Sequence, residues 1–129
     1  MKKAILDTSI LGTFWEHQGL TKKSAADVRN AAKQLIKSRD TNAIVTPVYL
    51  ECVAGVRTGN ELKLMRAFLA EFNVVDAWHV SDDDWDAARS FAERVPYDGK
   101  PRHMGDCLIR AIANRISYEV LSIDRRFAR

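Results

Sequence analysis

Short apolar runs, each separated from the next by a segment of helical spacing, set the tightest limit on how this chain can fold. Lys3 to Leu6, Ala43-Ile44-Val45, Asn73-Val74-Val75 and Glu119 to Ile123 read as strands. Ser24 to Ser38 puts Ala25, Val28, Ala32, Leu35 and Ile36 on one face and Arg29, Lys33 and Lys37 on the other, the pattern of an amphipathic helix. Thr46-Pro47 opens a second helix, since threonine can cap and proline suits the first helical position, and this helix stops near Thr58-Gly59. Asn60 begins another, with Leu62, Met65, Phe68, Leu69 and Phe72 inward. Ser81 and Asp84 have capping-box spacing, Val80 and Trp85 can form a hydrophobic staple, and Trp85, Ala88, Phe91, Ala92 and Val95 form the expected core face. After a Pro- and Gly-containing loop over "PYDGKPRH", a last helix starts near Gly105, with Leu108, Ile109, Ile112, Ala113 and Ile116 inward. Strands alternating with helices need long crossovers. The expectation is an α/β fold whose parallel sheet is covered on both faces.

The 129 residues suit a single domain spanning 1–129, and the 29% charged and 47% apolar content is that of an ordinary globular protein. No apolar run approaches the ~20 residues of a membrane span. The opening Met-Lys-Lys-Ala-Ile-Leu-Asp meets Asp7 too early to read as a signal peptide. Cys52 and Cys107 lie far apart without paired spacing, which excludes zinc-ribbon and redox CxxC chemistry and suits a reducing cytoplasm. Each follows a candidate site carboxylate, but both read as core residues. The net charge of +3 is mildly basic. Its distribution is more informative: Arg125, Arg126 and Arg129 close the chain beside another aspartate, Asp124.

In open α/β sheets, sites form beyond the carboxyl ends of the strands. Asp7 follows the first strand and Asp124 the fourth. Asp106 lies in the first turn of the helix feeding strand four, and Glu51 lies one turn into the helix after strand two, where apolar neighbours turn its carboxylate inward. Taken singly, Asp7 could cap the next helix, Glu51 could be a solvated helix residue, and Asp106 could be a partner for the helix dipole. Jointly, four carboxylates on one edge repel, by roughly 4 kcal/mol per pair at ~4 Å and an effective dielectric of ~20. A hard divalent cation, Mg²⁺ above all, would offset that repulsion. The implied chemistry is phosphodiester hydrolysis.

The same residues carry a resemblance. "ILDTSIL" with Asp7, "PVYLECVAGVR" with Glu51, "MGDCLIRAIANR" with Asp106 and "LSIDRRF" with Asp124 stand in an order and at spacings that resemble the PIN-domain ribonucleases, and among them the toxins of VapBC toxin–antitoxin systems. The resemblance implies a three-layer α/β/α sandwich with a short central parallel sheet, and Mg²⁺- or Mn²⁺-dependent cleavage of RNA. It also implies a homodimer and a cognate antitoxin that enters the active-site groove. On that resemblance Asp7 and Asp106 are central metal ligands, Asp124 completes the ligand set, and Glu51 orients or deprotonates the attacking water. Thr8 and Ser9 would hold Asp7 and cap the first helix, and Ser122 would hydrogen-bond within the acidic site. Arg102, Arg125 and Arg126 are the expected contacts to RNA phosphates. The rivals are an inactive scaffold of the same fold, binding RNA or a partner, and a phosphoryl-transfer domain. A receiver-like domain would use Asp7 and Asp76. A haloacid-dehalogenase-like phosphatase would want a second aspartate where Ser9 stands.

Overall fold

A computed structural model describes residues 1–94 and 103–123. Strand β1 (Ala4–Leu6) leads into helix α1 (Thr8–His17), a 3-10 turn (Leu20–Lys22) and helix α2 (Ala25–Arg39). Strand β2 (Ala43–Ile44) is followed by α3 (Thr46–Ala54) and α4 (Gly59–Leu69), then by strand β3 (Asn73–Val74). Helices α5 (Asp82–Ala92) and α6 (Met104–Ile116) precede strand β4 (Glu119–Leu121). The strands are parallel, in the order β3-β2-β1-β4.

That order sets where a site can form. From β1 the chain steps outward to β2 and then β3, and it returns across the sheet to place β4 on the other side of β1. Right-handed crossovers then put α1 to α4 on one face and α5 with α6 on the other, giving three layers. The reversal opens a crevice between β1 and β4 at the carboxyl ends of the strands. Ile5 and Leu6 of β1, Ile44 of β2, Phe68 of α4, and Ile109 and Ile112 of α6 are fully buried around the sheet. Phe68 also gathers Phe14, Trp15 and Phe72 around its ring, with centroids 6.2, 5.3 and 5.2 Å away.

Some expected helix faces shift. On α2, Val28, Ala31, Ala32 and Leu35 are buried, whereas Ala25 is exposed in the first turn. Trp85 and Ala92 do not belong to the core face of α5; Trp85 is 51% exposed and Ala92 is exposed. The buried positions are Asp84, Ala88 and Phe91, so the helix is rotated to bring a carboxylate inward. The capping box is present: Ser81 N–H donates to Asp84 Oδ2 at 2.9 Å, and Asp84 N–H donates to Ser81 Oγ at 3.1 Å. The rotation has a reason that lies in α6. Arg115 donates from Nε to Asp84 Oδ1 at 2.7 Å and from Nη2 to Oδ2 at 3.0 Å, tying the start of α5 to the end of α6.

Burial alone would raise the pKa of Asp84, but the hydrogen bonds from Arg115 and from Ser81 outweigh it and hold the carboxyl below its ordinary 3.8. Such a group adds stability above the ordinary value and loses it as the pH falls through the folded value. Asp84→Asn should therefore be less stable than wild type at pH 7, by about 2 kcal/mol. Urea titrations at several pH values should show the gap closing below about pH 4. A gap independent of pH would contradict the pairing.

Candidate active site

Asp7 stands at the first position past β1, in the crevice beside β4. Its backbone N–H donates to Leu121 O at 2.9 Å, extending the β1–β4 ladder by one residue. In that register the residue opposite Asp7 is Ser122, whose hydroxyl donates to Asp7 Oδ2 at 2.8 Å. Ser9 reaches back from α1 and donates to the same oxygen, also at 2.8 Å. Ile123 N–H in turn donates to Ser9 Oγ at 3.2 Å, so the start of α1 and the end of β4 are laced together around one carboxylate.

Asp7 occupies the N-cap position of α1, with extended backbone angles, yet its side chain caps nothing. The carboxylate is 3% exposed, and Oδ1 has no hydrogen-bond partner. Burying a charged oxygen without a partner is costly. The helix-cap alternative therefore fails. The arrangement fits a group that supplies positive charge at Oδ1: two hydroxyls hold Oδ2 and leave the other oxygen for it.

Glu51 approaches from α3. Its Oε1 accepts the Thr8 hydroxyl at 2.8 Å. Thr8 thus holds Glu51 rather than Asp7, and neither Thr8 nor Ser9 caps α1. Glu51 is not turned into the core as its neighbours suggested. Helix α3 presents both Glu51 and Leu50 to the exposed side, with Leu50 54% exposed. The carboxylate is still partly desolvated where it meets α6. That desolvation raises its pKa, Asp7's charge adds to the rise, and the Thr8 hydrogen bond and the nearby His103 pull it down. Asp106 sits half-buried in the first turn of α6, next to Gly105, which abuts the Glu51 carboxylate. Asp124, Arg102, Arg125 and Arg126 lie outside the described residues. Among those described, no three histidine, cysteine, aspartate or glutamate side chains are grouped so as to hold a metal ion.

The model of the PIN domain family matches residues 4–129. The chain is a PIN domain. No curated protein and no solved structure matches it closely enough to narrow that placement. PIN domains are generally metal-dependent nucleases, and the buried, unpartnered Oδ1 of Asp7 is a feature of this PIN domain that suits a metal.

The sequence readings of Asp76 and Thr46 resolve as structure. Asp76, which a receiver-like domain would use, is buried and spent on α3: it accepts Thr46 N–H at 3.0 Å and the Thr46 hydroxyl at 2.9 Å. Thr46 is accordingly no cap; Val45 holds that position and Thr46 is the first helical residue. Trp15 is buried against Phe68, whereas Trp78 is 56% exposed, edge-on to Tyr49 with ring centroids 4.8 Å apart. A cleft of about 510 Å³ runs from Thr8 and Glu51 over Leu11, Trp15 and Met65 toward Lys22 and Arg57.

Cys52 and Cys107 are buried and form no disulfide, in keeping with a packing role. Burial first, and then the charges of Glu51 and Asp7, push the Cys52 thiol up to about 12. Its thiolate fraction near neutral pH is therefore minute. A disulfide reagent applied to the folded protein at pH 8 should leave Cys52 unmodified, and denaturant should release it. Rapid native labelling at Cys52, mapped by mass spectrometry, would contradict this environment.

Proposed function

We propose that this PIN domain is a Mg²⁺-dependent endoribonuclease that hydrolyses RNA phosphodiester bonds. The observation that carries the reading is the Asp7 carboxylate: buried, doubly hydrogen-bonded at Oδ2 and unpartnered at Oδ1. Asp7 and Asp106 would hold the ion, with Asp124 completing the set. The chemistry supplied by a bound divalent ion is Lewis-acid relief of the negative charge on the scissile phosphate. The rest of the work belongs to the chain. Ser9 and Ser122 fix the Asp7 side chain so that Oδ1 keeps one direction. Glu51, held by Thr8 and made more basic by its surroundings, accepts the proton of an attacking water. Arg102, Arg125 and Arg126 would contact RNA phosphates and set the salt dependence of binding.

In its finer form the reading is a VapC-like toxin, cytoplasmic and controlled by an antitoxin. The cleft beside Glu51, with apolar floor and charged rim, suits a partner segment reaching toward the site. Exposed Trp85 and Met104 line a shared hollow between α5 and α6, apolar surface of the kind a second copy would cover in a homodimer. No helix among the described residues is long and apolar enough to cross a membrane.

Asp7→Asn tests the reading at constant shape. Without metal it removes an uncompensated buried charge and should raise the melting temperature by roughly 3–5 °C, about 1 kcal/mol. Mg²⁺ should stabilise the wild type by mass action and the variant far less. Wild type should cut RNA with Mg²⁺ and stop with a chelator, and Asp7→Asn should not cut. A wild type that binds RNA without cutting it under any divalent ion would favour the inactive scaffold.

A further inference from the structure

The α6 N-terminus lies against Glu51 so closely that only glycine fits between them. A Cβ added at Gly105 would lie 2.8 Å from Glu51 Oε2, 2.9 Å from Cδ and 3.0 Å from Oε1. Real Cβ atoms do not approach oxygen or carbon that closely. Gly105 therefore serves a different purpose from the other glycines described. Gly12, Gly19 and Gly59 have open space where a Cβ would stand, and Gly55 meets only ordinary contacts at 3.4 Å and beyond. Gly19 needs its missing side chain for a φ of 59°, whereas Gly105 has no positive φ and sits in a regular helical turn. What Gly105 provides is room, and the room is filled by a carboxylate.

From this geometry we infer that Gly105 is a positioning residue for Glu51. Its bare Cα forms one wall of a slot whose other wall is Thr8: the Glu51 carboxylate is held by the 2.8 Å hydrogen bond on one side and occupies, on the other, the space that a side chain at 105 would need. The inference deepens the ribonuclease reading, and rests on it, because the slot matters to catalysis only if Glu51 serves the attacking water. The slot also sets a geometric relation between α3 and α6. Glu51 and Asp106 come from different helices, and Gly105, next to Asp106 in sequence, is where the Glu51 side chain meets α6.

Gly105→Ala separates positioning from folding. The contacted atoms are the far end of a flexible side chain, so the added methyl should swing the Glu51 carboxylate away from Thr8 at little cost to the fold. Alanine is also the better helix former, so the melting temperature should hold or rise. The kcat for RNA cleavage with Mg²⁺ should fall by ~10- to 100-fold, the scale of a misplaced catalytic group, with KM little changed. Glu51→Asp shortens the side chain by one methylene and withdraws it from the methyl. Gly105→Ala combined with Glu51→Asp should therefore be no slower than Glu51→Asp alone, within about twofold, a breakdown of additivity that a general packing defect would not give. A crystal structure of Gly105→Ala should show Glu51 in another rotamer with the Thr8 bond lost. Full activity of Gly105→Ala beside an active wild type, or losses that multiply in the double variant, would overturn the inference while leaving the nuclease reading intact. An inactive wild type would instead overturn the nuclease reading, and the crystal structure would still decide whether Gly105 holds Glu51.

Discussion

The parallel pairing of β1 with β4 is the contact on which the rest of the site depends. It is short, matching Ala4 with Glu119, Ile5 with Val120 and Leu6 with Leu121, and it continues through the Asp7 N–H to Leu121 O. Because the chain steps from β1 toward β3 and then returns to add β4 on the other side of β1, this is where, among the described residues, helices leave to opposite faces and open a crevice. The register decides what meets there. A slip of one residue would turn Asp7 away from Ser122 and exchange the buried and exposed sides of the strand.

Around that pairing, neighbouring hydroxyls are divided between two carboxylates. Ser9 holds Asp7 and Thr8 holds Glu51, although the two residues are adjacent in sequence. Consecutive residues at a helix start point about 100° apart, so one Thr-Ser pair can serve two acids arriving from different elements. The consequence is a directional site. Asp7 has one oxygen held by hydroxyls and one buried without a partner, and Glu51 lies between a hydroxyl and the space left by the missing side chain of Gly105. Charge that would destabilise an ordinary core is gathered at this edge, which on the proposed reading is where a cation and a phosphate would meet.

Much of this architecture was legible beforehand, and the reasons are specific. The strands and the helices between them follow from apolar periodicity and capping residues, which act over a few positions; Ser24 and Ser81, which accept the N–H groups of Asp27 and Asp84, are local signals of this kind. Asp7 could be read because strand ends and their following residue are themselves local. The departures from that local pattern share a cause. The sequence pattern puts Trp85 in the core, but Arg115, 31 residues from Asp84, draws that carboxylate inward and turns α5 around its axis. Thr46 was expected to cap α3, but the buried Asp76 engages it from across the β2–β3 edge. Asp124 and the arginines at 102, 125 and 126 fall outside the described residues.

By itself, then, the sequence determined the alternation of strands and helices, and hence a parallel sheet, and it placed acidic residues after strands or in first turns, where open sheets keep their sites. These are consequences of local spacing and of the obligatory length of a parallel crossover. Only the tertiary structure decided which oxygen of Asp7 is saturated, which hydroxyl goes to which acid, and why position 105 has no side chain. Each of those depends on atoms brought together from distant segments: Ser122 to Asp7, Thr8 to Glu51 and Glu51 to Gly105. Contacts of that kind arise from packing at ångström precision, to which a pattern of residue types along the chain is blind.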